Sequence, residues 1–253
     1  MDLPVNTFKA ALHARRQQIG LWCSIPSAFT AELLAGSGFD WLLLDTEHTP
    51  NDLPNVYTQL QAVKGGTAHP IVRVPWNDPV VIKRYLDAGV QTFLIPMVQN
   101  AAEARAVVAA TRYPPRGVRG FAGGSRASGF GRIADYYARC EDELCVLVQV
   151  ETVEALSHLE EICAVEGVDG IFIGPGDLSA SMGFLGRQGD AAVVEEIEAA
   201  FGRILAAGNR PGILTSDPAL VRRYIDAGSI FTAVGSDSGL LVSQSRSLAQ
   251  AYR

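Results

Sequence analysis

Lysine is scarce in this chain. Among 253 residues only Lys9, Lys64 and Lys83 occur, so any chemistry that needs a catalytic lysine has few candidates. Cysteine is nearly as sparse. Cys23, Cys140, Cys145 and Cys163 show no CxxC or CxxH spacing, which argues against a zinc site or a disulfide framework and for reduced, mostly packed thiols in a cytoplasmic protein. No apolar run reaches the roughly 18 residues of a membrane span. The opening stretch, MDLPVNTFKAALHARRQ, has no signal-peptide core and predicts a short amphipathic helix instead. Basic residues number 21 against 27 acidic ones, for a net charge of −6. Nucleic acid and anionic membrane are poor partners for such a surface.

What is present is a regular alternation. Short apolar runs follow one another, separated by helical segments with glycine, asparagine or proline at their ends. The spacing predicts strands at about Gly20–Ile25, Trp41–Leu44, Ile71–Val74, Thr92–Val98, Leu144–Val150, Gly170–Ile173, Gly212–Leu214 and Phe231–Val234. Between them, Ser27, Asp52, Asp78-Pro79, Asn100, Thr152, Asp190 and Asp217-Pro218 read as helix starts. One segment repeats weakly: KRYLDAG from Lys83 to Gly89 against RRYIDAG from Arg222 to Gly228. Strands that alternate with helices imply a parallel sheet with helices outside. Eight such units without a linker predict one (β/α)8 TIM barrel over 1–253, preceded by a short helix, with a doubly wound sheet as the alternative.

A barrel enzyme builds its site at the C-terminal ends of its strands. The stretch FDWLLLDTEHTPND, Phe39 to Asp52, runs from an apolar strand straight into Asp45, Thr46, Glu47 and His48. Strand three carries Arg73 late in an apolar run. On strand five, Cys145, Leu147, Gln149 and Glu151 share one face and Val146, Val148 and Val150 the other. Strand six ends in Gly174-Pro175-Gly176-Asp177. Each has a plain explanation: Glu151 could cap the next helix, Arg73 could balance a buried carboxylate, and Asp177 could sit in a turn. Together at one rim they predict a polar active site. Glu151 and Asp177 form an oxygen-only pair that suits Mg²⁺ or Mn²⁺ rather than zinc. Gly174 and Gly176 would leave backbone amides open to a carboxylate. Arg73 offers a planar fork for an oxyanion. His48 is the only histidine at a strand end and the natural general base, with Asp45 as a candidate to orient it. None of the three lysines falls at a strand C-terminus, which closes the Schiff-base route and leaves a metal as electron sink.

The segments GLWCSIPS, FDWLLLDTEHTPND, PIVRVPW, PMVQNAAEAR, RYPPRGVRG, VLVQVET and GIFIGPGDLSASMG occur in that order. Over about residues 20 to 240 the chain resembles the HpcH/HpaI family of metal-dependent pyruvate aldolases, TIM barrels of the phosphoenolpyruvate/pyruvate type. The resemblance implies His48 as base with Asp45 as its partner, and Arg73 on the pyruvate oxygens. It implies Glu151 and Asp177 as ligands of Mg²⁺, Mn²⁺ or Co²⁺, with Gln149 beside the metal. It also implies that backbone around Gly174, Pro175 and Gly176 holds the substrate carboxylate and that Trp22 walls the site. Asp87 matches an aspartate that reaches a neighbouring subunit's site, within a homo-hexamer whose last barrel helix packs on a partner. The stretch Phe121–Phe130, FAGGSRASGF, departs from the family by its glycine content and reads as a mobile lid at the aldehyde end.

The activity implied is reversible cleavage of a 4-hydroxy-2-oxo acid to pyruvate and an aldehyde. Two rivals stand beside it. An acyl-CoA ester lyase of the malyl-CoA type would need basic surface that three lysines do not advertise. A non-catalytic keto-acid-binding barrel would have no use for His48, Arg73, Glu151 and Asp177 together.

Overall fold

The computed structural model describes all 253 residues. In chain order it contains α1 (Thr7–His13), β1 (Gln18–Cys23), α2 (Ala28–Ala35), β2 (Trp41–Asp45), α3 (Leu53–Ala62), β3 (His69–Arg73), α4 (Pro79–Asp87), β4 (Thr92–Ile95), α5 (Ala101–Thr111) and α6 (Tyr136–Arg139). Then come β5 (Cys145–Val150), α7 (Val153–Ser157), α8 (Leu159–Cys163), β6 (Gly170–Ile173), α9 (Pro175–Ser181), α10 (Ala191–Ala206), β7 (Pro211–Leu214), α11 (Pro218–Asp226), β8 (Phe231–Ser236) and α12 (Asp237–Gln250). All eight strands pair in parallel and in sequence, and β8 returns to β1, which closes the barrel. The doubly wound alternative is thereby excluded.

Helix starts follow from local chemistry. Asp78 and Asp217 each accept from two backbone amides of the turn they open, with proline as the first helical residue. The KRYLDAG and RRYIDAG repeats form the ends of α4 and α11. Each buries its tyrosine, Tyr85 or Tyr224, and stops at a glycine of positive φ, Gly89 or Gly228. Two segments differ from the sequence reading. The Thr152-led helix is two short helices that meet at His158, and the strand-six terminus continues at once into α9 rather than a loop.

Residues alternate between two apolar layers. Val146, Val148 and Val150 pack outward against the helices, whereas Cys145 and Leu147 join Leu43, Ile71, Leu94 and Phe172 inside the barrel. The N-terminal end of the barrel is plugged by aromatics. Phe8 of α1 meets Trp41 and Phe231 edge-on, at ring centroid distances of 6.2 and 5.9 Å, and stacks on His69 at 6.1 Å. Gly20 and Gly212 make room for this plug, since a Cβ at either would collide with the Trp41 or Phe231 ring. His69 is buried, and its Nε2 lies 2.9 Å from Thr92 Oγ1. Above this plug the last inward layer carries Trp22, Asp45, Arg73 and Gln149. All four cysteines are free and buried. No helix is long and apolar enough to cross a membrane.

Candidate active site

Strand register sets the first contact. Asp45 and Arg73 are paired neighbours on β2 and β3, both pointing inward. Asp45 Oδ1 accepts from Arg73 Nε and Oδ2 from Arg73 Nη2, each at 2.8 Å, a two-pronged pair with both partners buried. Arg73 Nη1 lies 2.8 Å from Glu47 Oε2, and the guanidinium carbon sits 5.0 Å from the centroid of the Trp22 ring. Burial works against the Arg73 charge, but the hydrogen bond and field of Asp45, with the charges of Glu47 and Glu151, outweigh it and raise its pKa. The turn after β2 is fixed by Thr46 Oγ1, which donates to the Arg73 carbonyl, and by Thr49 Oγ1, which donates to the Asp45 carbonyl, each at 2.6 Å.

This arrangement corrects one expectation. Asp45 does not orient His48, because Arg73 engages both of its oxygens and the Glu47 amide donates a third bond, at 3.1 Å, to Oδ1. The carboxylate that approaches the imidazole is Glu47, whose Oε1 lies 3.8 Å from His48 Nε2. His48 itself stands at the mouth with 65% of its side chain exposed.

Across the barrel, Glu151 follows β5 and is buried. Gln149 Nε2 donates to Glu151 Oε2, and the Met97 amide donates to Oε1 at 2.8 Å. Met97 makes that bond from a left-handed backbone conformation, φ +54°, which no sequence signal announced. Gly174 is required here, because a Cβ would run into Glu151 Oε2. Asp177 sits in the first turn of α9. The expectation that the Gly174 amide is free does not hold, since it donates to Val150 O at 3.1 Å. Pro175 has no N–H. The open backbone donors are therefore those of Gly176 and Asp177, in a first turn that leaves them without a carbonyl.

These groups border one cavity of about 450 Å³. Its walls include Trp22, His48, Arg73, Gln149, Glu151, the Gly174–Asp177 turn, Gln188, Thr215 and Ser216, and no lysine lines it. Asp45, Glu47 and Glu151 put three carboxylates around Arg73, and Asp177 adds a fourth to the site. Burial pushes Glu47 up to about 7; Arg73 pulls it down, and Asp45 and Asp177 push it further up. Burial likewise pushes Glu151 up to about 7, against its bonds from Gln149 and Met97 and with help from Glu47 and Asp177. Of these carboxylates only Glu151 and Asp177 line the cavity, together with Gln149, whose Oε1 is buried without a partner, and such an oxygen-rich set fits a cation. Two protein oxygens suit a hard divalent ion that keeps water and substrate as its other ligands.

Two expected parts of the site lie elsewhere in the chain. Asp87 ends α4 and accepts from the buried Arg119 Nη2 at 3.3 Å, outside the cavity. The Phe121–Phe130 loop does not line the cavity of its own chain either. Arg126 anchors it to the C-terminal ends of α4 and α3, donating to Ala88 O at 2.6 Å and Leu60 O at 3.4 Å, where it borders a separate pocket beside His69. Sequence reasoning placed Glu47 at the strand-two end but gave it no role. It also missed Gln188, Thr215 and Ser216, which carry no motif.

Comparison with known proteins agrees with this architecture. Residues 18–244 match the family model described as HpcH/HpaI aldolase/citrate lyase. A 4-hydroxy-2-oxo-heptane-1,7-dioate aldolase from Shigella sonnei (strain Ss046) is 54% identical over 248 residues, covering 98% of this chain and 95% of the relative. A pyruvate aldolase from Rhizobium etli is 53% identical over 252 residues, covering 100% and 99%. The crystal structure of an HpcH/HpaI aldolase/citrate lyase family protein from Burkholderia cenocepacia J2315 superposes with a TM-score of 0.95 at 37% identity, covering 98% of this chain and 100% of that one. The chain belongs to the HpcH/HpaI aldolase/citrate lyase family.

Proposed function

We propose that this protein is a divalent-metal-dependent pyruvate aldolase, a carbon–carbon lyase that reversibly cleaves 4-hydroxy-2-oxo acids to pyruvate and an aldehyde. The observation that carries this reading is the pairing, across one cavity, of a fixed Arg73 fork with the Glu151 and Asp177 carboxylates, in a cavity without lysine. Two whole-length relatives named as aldolases support it. Glu151 and Asp177 would hold Mg²⁺, Mn²⁺ or Co²⁺. When bound, such an ion withdraws electrons from the keto acid and lowers the cost of an enolate by several kcal/mol.

The residues of the chain do the rest. Gln149 and the open amides of Gly176 and Asp177 bind and orient the pyruvate portion. Arg73 aims its remaining N–H groups at the oxygen that gains charge, preorganised by Asp45 so that no reorganisation accompanies the reaction. His48 accepts the proton of the 4-hydroxyl as the C3–C4 bond breaks and later releases it to solvent, and the C3 carbon of the pyruvate half takes a proton from water. Trp22 supports the guanidinium from its face.

A single barrel domain over 1–253, a cytoplasmic home and a homo-hexamer complete the proposal. Exposed Leu240, Leu241, Val242 and Leu248 on α12 support packing on a partner subunit, and Asp87 would there face a neighbour's site. The test is release of pyruvate from 4-hydroxy-2-oxo-heptanedioate, stopped by a chelator and restored by Mn²⁺ or Mg²⁺. Borohydride trapping of pyruvate on a lysine would contradict the proposal.

A further inference from the structure

The geometry points to Glu47 as a positioning residue that couples His48 to Arg73, an assignment that rests on the aldolase reading proposed above. Its carboxylate stands between the two. Oε2 lies 2.8 Å from Arg73 Nη1 and Oε1 lies 3.8 Å from His48 Nε2. Oε2 is closed off from solvent, and Glu47 is absent from the cavity wall, so it acts through its neighbours and not on the substrate. Asp45 cannot replace it, because both Asp45 oxygens already face Arg73. The other charged groups that act on Glu47 are Asp45 on β2, Asp177 on α9 and Glu151 after β5. Arg73 is thus the permanent cation that holds it in place.

Toward Arg73 the role is geometric. Asp45 hydrogen-bonds Nε and Nη2, Glu47 faces Nη1 as an ion pair without a hydrogen bond, and Trp22 lies under the plane, so Asp45 sets the fork's direction and the Glu47 charge and the Trp22 ring back it. A fork held in this way meets the developing oxyanion without searching for its orientation. Toward His48 the role is electrostatic. The imidazole is neutral before cleavage and becomes an imidazolium when the 4-hydroxyl proton moves to it. When ionised, a Glu47 carboxylate at 3.8 Å favours the second state over the first. An interaction that strengthens along the reaction raises turnover rather than binding alone.

The two roles separate in Glu47→Gln. The amide keeps an oxygen beside Arg73 Nη1. It then turns its NH₂ toward His48, where a donor opposes protonation of the ring. Glu47→Ala removes both contacts. The experiment measures two rates in each variant with Mn²⁺ present: exchange of the pyruvate methyl protons with D₂O, which reports Arg73 and the enolate, and cleavage of the hydroxy-oxo acid, which also needs His48. Glu47→Gln is expected to keep exchange within about threefold of the parent and to lose cleavage by about tenfold or more, mainly in kcat. Glu47→Ala is expected to lose both. Equal losses of exchange and cleavage in Glu47→Gln, with an unchanged melting temperature, would overturn the coupling role, as would parent-like rates in both variants. Absence of exchange in the parent protein would instead count against the aldolase reading itself, so the two failures are distinguishable.

Discussion

Replacing Arg73 by methionine is the perturbation whose consequences the structure states most fully. Methionine keeps an apolar stem against Trp22 and removes the guanidinium. Asp45 is then left 2% exposed, with only the Glu47 amide on Oδ1 and nothing on Oδ2. Breaking a buried ion pair from one side costs about 3–5 kcal/mol, because the surviving charge stays desolvated. In a domain of this size each kcal/mol moves the melting temperature by about 2–4 °C, so Arg73→Met should melt roughly 6–20 °C below the parent at pH 7.5. The cause can be separated from mere loss of volume. Adding Asp45→Asn to Arg73→Met removes the stranded charge, so the double variant should be more stable than Arg73→Met by at least about 1 kcal/mol, a non-additive cycle of the kind expected for contacting residues. Urea unfolding of the parent, both single variants and the double variant supplies the numbers. An Arg73→Met variant within about 1 kcal/mol of the parent, or a double variant less stable than Arg73→Met, would refute the claim that Asp45 and Arg73 form one buried unit.

Three further outcomes follow from the same geometry. His69 has its pKa lowered to about 4 by burial, whereas an unfolded histidine titrates near about 6.5. Its depressed folded pKa means that stability is fully present above about 6.5 and is lost as pH falls through about 4, by up to about 3 kcal/mol; His69→Gln should flatten that part of the stability–pH curve, and an unchanged slope would contradict it. Glu151→Gln and Asp177→Asn should each weaken Mn²⁺ binding by at least about tenfold in equilibrium titrations, because each removes one of the two proposed anionic ligands; parent-like affinity in either would remove that residue from the proposed pair. Phe8→Ala should cost about 3–5 kcal/mol in unfolding experiments, since Phe8 fills the barrel floor between Trp41, His69 and Phe231; a loss below about 1 kcal/mol would show that the plug is dispensable.

The barrel was legible because its signals are local. Alternation on β5 separated inward Cys145, Leu147 and Gln149 from outward Val146, Val148 and Val150, and the structure keeps that division. Asp-Pro pairs opened α4 and α11 because cap and first-turn proline act within four residues. The convergence of Trp22, Arg73, Gln149, Glu151 and Asp177 on one cavity followed from fold and strand end together. What escaped depends on register and on contacts across the barrel. Asp45 sits three residues before His48, and that proximity suggested a pair, yet β2–β3 register places it directly opposite Arg73. Side-chain direction at a strand end carries more weight here than sequence distance. The left-handed conformation of Met97 has no composition cue, so its amide bond to Glu151 was invisible. The glycine-rich look of Phe121–Phe130 suggested freedom, whereas Arg126 ties that loop to two helix ends.

The central claim is that this cavity makes an enolate from pyruvate, and it can be tested without knowing the aldehyde. Enzyme, pyruvate and Mn²⁺ in D₂O should show the methyl proton signal of pyruvate decaying over hours, with aliquots chelated before each NMR spectrum. Decay should cease with chelator present from the start and fall by at least about a hundredfold in Arg73→Met, because removing one preorganised donor from a developing oxyanion costs about 10²–10³ in rate. A methyl signal that decays no faster with the parent enzyme than in the enzyme-free control would contradict the account at its centre.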